Sequence, residues 1–450
     1  MKRFLKLFPA LILIFAMMLT ACGQPATDTS STAEETSSET ASVEETSSEA
    51  VSEETSSEET VSKEPEKKVA RLQNTYKLLT EDKKLTIGYI GGSITAGGSA
   101  KKVIENGKVK SESGSVYDNY VHRTSKWISS LFPDAEIETI NAGISDTTTG
   151  FALYRYVDHM MNDDGHDIPD LVFVEFTSND GANSDAIATH LESLVRGILD
   201  INPYCEIVFI STTVNDNTAK ATYQSVAQHY GFLCVDVGKP LQEAKTARGA
   251  GKEADGTLYY TVDNLHPSAE GYALYVEKIA YLLEYHLTEG TGELVNRKDM
   301  LPADLKGKFP LIDEPFMISA DKFEVKGSGQ VVNTPLQSAM YGMKETAVKE
   351  NITESYMLVN TGDVITVKFT GTSVGMIIGL QKADTEVVYS IDGGEAKSYI
   401  VSTTTNSGQR YDHNKAIMFD NNLSEGEHTL TLEIKKDNVR IGAILVNGKQ

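Results

Sequence analysis

Positive charge and cysteine are both scarce in this chain. Only 41 of its 450 residues are Lys or Arg, against 64 Asp or Glu, for a formal charge of −23. A surface of that sign repels phosphate backbones, which argues against a nucleic-acid partner. There are three cysteines. Two of them, Cys205 and Cys234, lie in apolar, strand-like runs, a setting that predicts two buried thiols in preference to a disulfide or a metal site. The sequence has no His-Glu-x-x-His, no Gly-x-x-x-x-Gly-Lys and no Gly-x-Gly-x-x-Gly. It therefore shows no sign of the zinc, phosphate-loop or dinucleotide chemistries that those spacings serve. What is present is 40% hydrophobic residues. That is enough to bury large cores, so a wholly disordered chain is excluded, and the length suggests about two or three domains.

The charge is unevenly spread. Residues 1–22 carry three basic and no acidic side chains, and residues 23–62 carry 11 acidic and no basic ones. The remaining 38 basic and 53 acidic residues leave −15 on the rest of the chain. The basic start is followed by the apolar run Leu7 to Leu19. About 13 residues are too few to cross a bilayer comfortably, and the pattern fits an export signal. The run ends Leu19-Thr20-Ala21-Cys22, which resembles the lipobox of bacterial lipoproteins. That resemblance implies a signal peptide over 1–22, a lipid anchor on Cys22 and a place on the outer face of the bacterial cell membrane. Residues 23–68 are mostly Ser, Thr, Glu and Ala, with Glu-Glu-Thr-Ser-Ser-Glu beginning at Glu34, Glu44 and Glu53. Such a segment cannot form a core and reads as a disordered tether with a reach of roughly 40 Å or more.

From about Arg71 to Leu287 short apolar runs alternate with helical periodicity. The strand candidates are Leu85 to Ile90, Ile137 to Ile140, Leu171 to Phe176, Ile207 to Ser211 and Phe232 to Val237. Nearly continuous apolar strands separated by helices predict a parallel sheet covered on both faces, a three-layer α/β/α domain over 69–290. The functional crevice of such a sheet lies at the carboxyl ends of its strands. After a linker, 291–312, the helical pattern stops. Runs such as Val364 to Phe369, Val374 to Ile378, Val387 to Ile391 and His428 to Ile434, broken by Gly-containing turns, predict an all-β sandwich over 313–450.

Four polar blocks coincide with this framework. Gly91-Gly92-Ser93-Ile94-Thr95 follows the first strand, Asn141-Ala142-Gly143 ends the second, Thr177-Ser178-Asn179-Asp180 follows the third, and Asp263-Asn264-Leu265-His266-Pro267 precedes the last helix. Taken alone, Ser93 is either a turn serine or a nucleophile at the sheet edge. Pro267 disfavours helical geometry at His266, Ser268 can cap the helix that follows, and a carboxylate at Asp263 can bend back to the imidazole. The Gly143 N–H and the Asn179 amide could be oxyanion donors or ordinary turn groups.

Together the blocks resemble those of the SGNH (GDSL-like) hydrolase superfamily, over Leu85 to about Leu287. The resemblance implies a flavodoxin-like α/β/α fold and an acylesterase in which Ser93 is the nucleophile, His266 the base and Asp263 its partner. The backbone N–H groups of Ser93 and Gly143 and the side-chain amide of Asn179 would form the oxyanion hole. No metal or organic cofactor is implied. One departure is Gly92, where the family usually places an acid, which puts the local support of the nucleophile loop in doubt.

Other polar residues read two ways. Arg155 suits a surface ion pair better than substrate contact. Glu175, inside an apolar strand, suits a hydrogen-bonded sheet position better than a general acid. Tyr259 and Tyr260 either line the pocket or pack on the sheet. The C-terminal region looks like the jelly-roll domains that accompany carbohydrate esterases. An exported, tethered esterase with such a domain suits a polymer too large to import, so the expected substrate is an O-acetylated polysaccharide. The alternatives are a lipase or thioesterase for longer acyl chains, and a glycan-binding lipoprotein without activity.

Overall fold

In the computed structural model the described residues are 70–105, 108–115, 119–145, 147–162, 166–249, 258–261, 265–335, 353–378, 385–401, 415–437 and 439–449. Cys22 and Asp263 lie outside them. The N-terminal part of the described chain holds strands β1 (Lys84–Gly91), β2 (Gly98–Glu105), β3 (Lys108–Ser115), β4 (Glu136–Gly143), β5 (Leu171–Glu175), β6 (Glu206–Ser211) and β7 (Leu233–Asp236). Its helices are α1 (Gln73–Lys77), α2 (Ser93–Ala96), α3 (Tyr120–Leu131), α4 (Thr149–Tyr156), α5 (Ser184–Ile201), α6 (Thr218–Tyr230), α7 (Gly238–Arg248) and α8 (Ala269–Thr288). The main sheet is parallel, in the order β4-β1-β5-β6-β7. This is the flavodoxin-like order, and it places the topological switch point beside the carboxyl end of β1.

The central strands are buried residue after residue: all five positions of β5, all six of β6 and seven of the eight in β1. That is why they are continuous apolar runs with little alternation. One layer packs Val121, Ile128, Tyr272, Tyr275, Ile279 and Leu283 of α3 and α8 against Ile87, Tyr89 and Phe173. The opposite layer packs α4, α5 and α6 against Ile90, Val172, Val174 and Phe209. The β2–β3 hairpin stands apart from this sheet as a two-stranded antiparallel pair.

The C-terminal part is two antiparallel sheets. Its strands are β8 (Pro315–Ser319), β9 (Glu324–Lys326), β10 (Gln330–Pro335), β11 (Thr353–Val359), β12 (Val364–Gly371), β13 (Ser373–Ile378), β14 (Thr385–Ile391), β15 (Lys397–Val401), β16 (Lys415–Asp420), β17 (Gly426–Ile434) and β18 (Val439–Asn447). One sheet runs β10-β11-β18-β13-β16 with β8 also on β18, and the other runs β15-β14-β17-β12-β9. Ile365, Val367, Phe369, Leu430 and Leu432 of one meet Met357, Val374, Met376, Ile444 and Val446 of the other. β12 and β17 alternate buried and partly exposed positions, as strands with one wet face do.

β13 and β18 do not alternate in this way. Their inner residues fill the sandwich, while Ile377 and Leu445 join the same apolar cluster as Phe151 and Tyr154 of α4. The segment expected to be a linker is strapped along α5. The buried Glu192 carboxylate accepts the Lys306 and Gly307 N–H groups, both at 2.8 Å. Thr189 Oγ1 accepts Phe309 N–H, and Ser193 Oγ accepts Ile312 N–H at 3.0 Å.

Candidate active site

β1 delivers the chain to Gly91, and two residues later Ser93 opens the single helical turn α2. Ser93 is 6% exposed. Three elements hold this turn from beneath. Tyr272 of α8 donates its hydroxyl to Ile94 O at 3.0 Å, and the Asn141 amide of β4 donates to Thr95 O at 2.9 Å. Thr95 Oγ1 donates to the Glu175 carboxylate of β5 at 3.0 Å. Gly143 lets the end of β4 lie against the turn, since a Cβ at that position would collide with the backbone of Thr95 and Ala96.

His266 Nε2 lies 2.8 Å from Ser93 Oγ, although the two are 173 residues apart. The loop that presents His266 is fixed on both sides. Thr261 bridges to Pro267, and Ser268 N–H donates to Tyr260 O at 2.9 Å. Ser268 Oγ then caps α8 by accepting Gly271 N–H, leaving Pro267 to end the extended segment. A hydroxyl hydrogen-bonded to an imidazole can be deprotonated by it, which is the minimal machinery of nucleophilic acyl transfer.

The two further strand ends reach the same place. Asn179 follows β5 on a turn in which Asn179 and Asp180 both donate N–H to Phe176 O. A Cβ on Gly92 would stand 3.0 Å from Asn179 Nδ2, so this amide lies directly over the residue before Ser93. The Gly143 N–H donates to Asn141 Oδ1 at 2.9 Å. Asp180 is clamped by Thr149, whose N–H and hydroxyl both donate to its carboxylate, and by Tyr223 OH at 3.1 Å. Burial outweighs these bonds and pushes Asp180 up to about 6.

Glu175 is buried, and besides Thr95 it accepts the Thr212 hydroxyl at 2.6 Å. Thr212 Oγ1 in turn pairs with Ser178 Oγ at 2.8 Å. Burial raises the pKa of Glu175, and the two threonine bonds oppose that rise.

Arg155 is not at the surface, where the expected reading placed it. Arg155 is 0% exposed; it donates to Ala142 O at 2.7 Å and to Gly91 O at 3.3 Å, and its guanidinium lies near the rings of Phe151 and Phe176. Gly91 O also accepts the Ile144 N–H at 2.9 Å, so the buried guanidinium adds its donors to the carbonyls at the ends of β1 and β4 and fastens the two strands together. Tyr259 and Tyr260 lie 4.2 and 5.7 Å from the Arg248 guanidinium, and Tyr260 also packs on the apolar layer under α8. Cys205 is a buried free thiol, but Cys234 is only half-buried, at the thinner edge strand β7. Burial pushes Cys234 up to about 12. Among the described residues no cluster of His, Cys, Asp or Glu could hold a metal ion.

Sequence reasoning did not single out Thr95, Asn141, Thr149 or Thr212 for support of the site. They are small polar residues whose partners lie 25 to 46 positions away or more, and only the sheet order brings them together.

Residues 89–274 match the GDSL-like Lipase/Acylhydrolase family. No curated protein matches the chain. Among solved structures, a two-domain esterase active on acetylated mannans is 18% identical, with a TM-score of 0.62 over 85% of this chain and 96% of that one. The same protein co-crystallised with mannopentaose aligns with the same values. An acetylxylan esterase from Geobacillus stearothermophilus, 17% identical, aligns over 44% of this chain and 93% of its own with a TM-score of 0.30. Over residues 89–274 the chain thus carries an α/β/α domain that matches the GDSL-like lipase/acylhydrolase family, a C-terminal β domain follows it, and the chain is an esterase.

Proposed function

We propose that the chain is an exported serine esterase that removes O-acetyl groups from a neutral polysaccharide and is held to the outer face of the cell membrane through a lipid on Cys22. The single observation that carries the chemistry is the 2.8 Å approach of His266 Nε2 to Ser93 Oγ at the switch point of the sheet. His266 takes the Ser93 proton as Oγ attacks the ester carbonyl, and the electron pair of the C=O moves to oxygen. The Ser93 N–H, the Gly143 N–H and the Asn179 amide stabilise that oxygen. Collapse of the tetrahedral adduct expels the sugar hydroxyl, which takes the proton from His266 and leaves an acetyl-enzyme. Water, deprotonated by His266, then releases acetate. Asp263 orients the imidazole in this scheme. Asn179 Nδ2 has no hydrogen bond among the described residues and is available at once, whereas Gly143 shares its N–H with Asn141 until substrate arrives. The acetyl specificity and polymer substrate draw support from the activity of the mannan esterase that shares the two-domain fold. The −15 of residues 63–450 favours an uncharged polymer over a polyanionic one.

The test is acetate release from acetylated mannan and xylan, alongside turnover of p-nitrophenyl acetate and octanoate. Ser93→Ala is expected to lose roughly 10⁴-fold or more in kcat on the acetyl esters. Residual activity near wild type would show another nucleophile, and preference for octanoate would replace the deacetylase by a lipase. Cys22→Ser is expected to shift the protein from the membrane fraction to the medium.

A further inference from the structure

A cavity of about 570 Å³ opens between the α/β layer and the sandwich, lined by residues that precede or lie within α4 and α5, by residues 309–313 of the strap and by sandwich residues. Ser93, His266, Gly143 and Asn179 are not among its walls. Its size is in the range of ligand sites, which favour domain interfaces.

The group that gives this space a chemistry is His190 of α5. Its ring presses on Gly150, where a Cβ would stand 2.9 Å from Cε1, and it makes no hydrogen bond among the described residues. Burial pushes His190 down to about 4, so the ring is neutral at ordinary pH. A neutral imidazole offers one N–H donor and one lone-pair acceptor, and a hydroxyl can answer either. No Lys or Arg lines the cavity, and Asp313 is its one carboxylate, so nothing there selects an anion. Tyr154, Phe309 and Met418 offer apolar faces, while Asn183, Ser373 and Asn422 offer amides and a hydroxyl. That mixture complements a sugar ring, which has apolar C–H faces and a rim of hydroxyls.

We infer that this cavity is a second carbohydrate site, taking a short stretch of an uncharged glycan between the α/β layer and the sandwich. It rests on the proposed deacetylase reading in one respect, that the glycan is part of the enzyme's own polymeric substrate. Two of its wall residues, Thr148 and Gly150, flank Thr149, which holds Asp180 next to Asn179. A polymer seated there is thereby fixed relative to the loop that reaches over the nucleophile. The site also gives the sandwich a part in recognition, since Ser373, Met418 and Asn422 supply one wall.

The experiment uses the full chain carrying Ser93→Ala, titrated calorimetrically with unacetylated linear oligosaccharides of mannose, xylose or glucose. These lack the ester, so binding reports a site that does not need the reaction. Saturable binding of at least one series is expected, weakened about tenfold or more by His190→Leu, which removes both ring nitrogens, and by Ala416→Trp, which fills the cavity from the sandwich side. In the otherwise wild-type enzyme both substitutions should raise KM for the acetylated polymer while turnover of p-nitrophenyl acetate stays within about twofold of wild type. Unaltered small-ester turnover also certifies that the variants are folded. Absence of binding in every series, or binding that both substitutions leave intact, overturns the site. Persistent ester hydrolysis by Ser93→Ala would overturn the catalytic reading instead, and the two failures are read on different instruments.

Discussion

Glu175 accepts the Thr95 hydroxyl at 3.0 Å, so a buried carboxylate on β5 carries the turn that presents Ser93. The other oxygen holds Thr212, and through it Ser178, next to Asn179. One side chain therefore spans the turn that presents Ser93 and the turn that bears Asn179. The loop that has Gly92 in place of an acid is braced from below by Glu175. Glu175→Gln should lower kcat about 10- to 100-fold with KM nearly unchanged, because the bonds it makes align groups and touch no substrate. Steady-state kinetics on p-nitrophenyl acetate checks this. A double-mutant cycle with Asn179→Ala should be non-additive, whereas simple loss of stability would leave the two effects independent.

Asn179→Ala should reduce kcat by roughly 10²- to 10³-fold, the usual cost of one oxyanion donor. Its side chain makes no hydrogen bond among the described residues, so the melting temperature should hardly move. A large fall in stability with intact kcat would assign the residue to structure.

In the sandwich, His428 Nδ1 lies 2.7 Å from Asp392 Oδ2, and Nε2 lies 2.8 Å from Ser424 O. The Asp392 bond first, and the Ser424 carbonyl second, raise the pKa of His428 above 6.5. A raised histidine pKa contributes stability that is fully present below about 6.5 and is lost as pH climbs through the raised value. Asp392 is pushed below 3.8, chiefly by the His428 bond, so its share is lost only as pH falls under that range. The unfolding midpoint should decline as pH rises above about 6.5, and Asp392→Asn should flatten that decline. Thermal melts on either side of that pH decide it.

Glu192 ties the strap to α5 through two backbone N–H groups. Glu192→Ala strands both donors and should cost about 2–4 kcal/mol, measured by denaturant unfolding. Limited proteolysis should then cut within 303–312 before it cuts elsewhere.

The parallel sheet was legible because its strands are apolar at nearly every position, and the gathering of Ser93, Gly143, Asn179 and His266 at one sheet edge because each sits beside a strand end or a helix cap. The β2–β3 hairpin carried a signal that was passed over: Asn106-Gly107 between two short runs. Its Lys- and Ser-rich strands lack the apolar alternation that marks a half-buried pair. Arg155 was misjudged because a charged residue in a helix usually faces water; the strand-end carbonyls to which it donates lie 13 and 64 residues away. The fused core could not be seen at all. Ile377 and Leu445 look like ordinary sandwich residues, and only their position in β13 and β18 reveals that both faces are covered.

Those two strands belong to two interiors at once, and this ties the histories of the two halves together. A different β module spliced after the strap would leave α4 uncovered, so recombination at that junction should be penalised even where each half is sound. Drift should be correlated across it as well: a change in Tyr154 calls for an answer at Met418 or Ser373, and the pair is inherited as one gene segment or not at all.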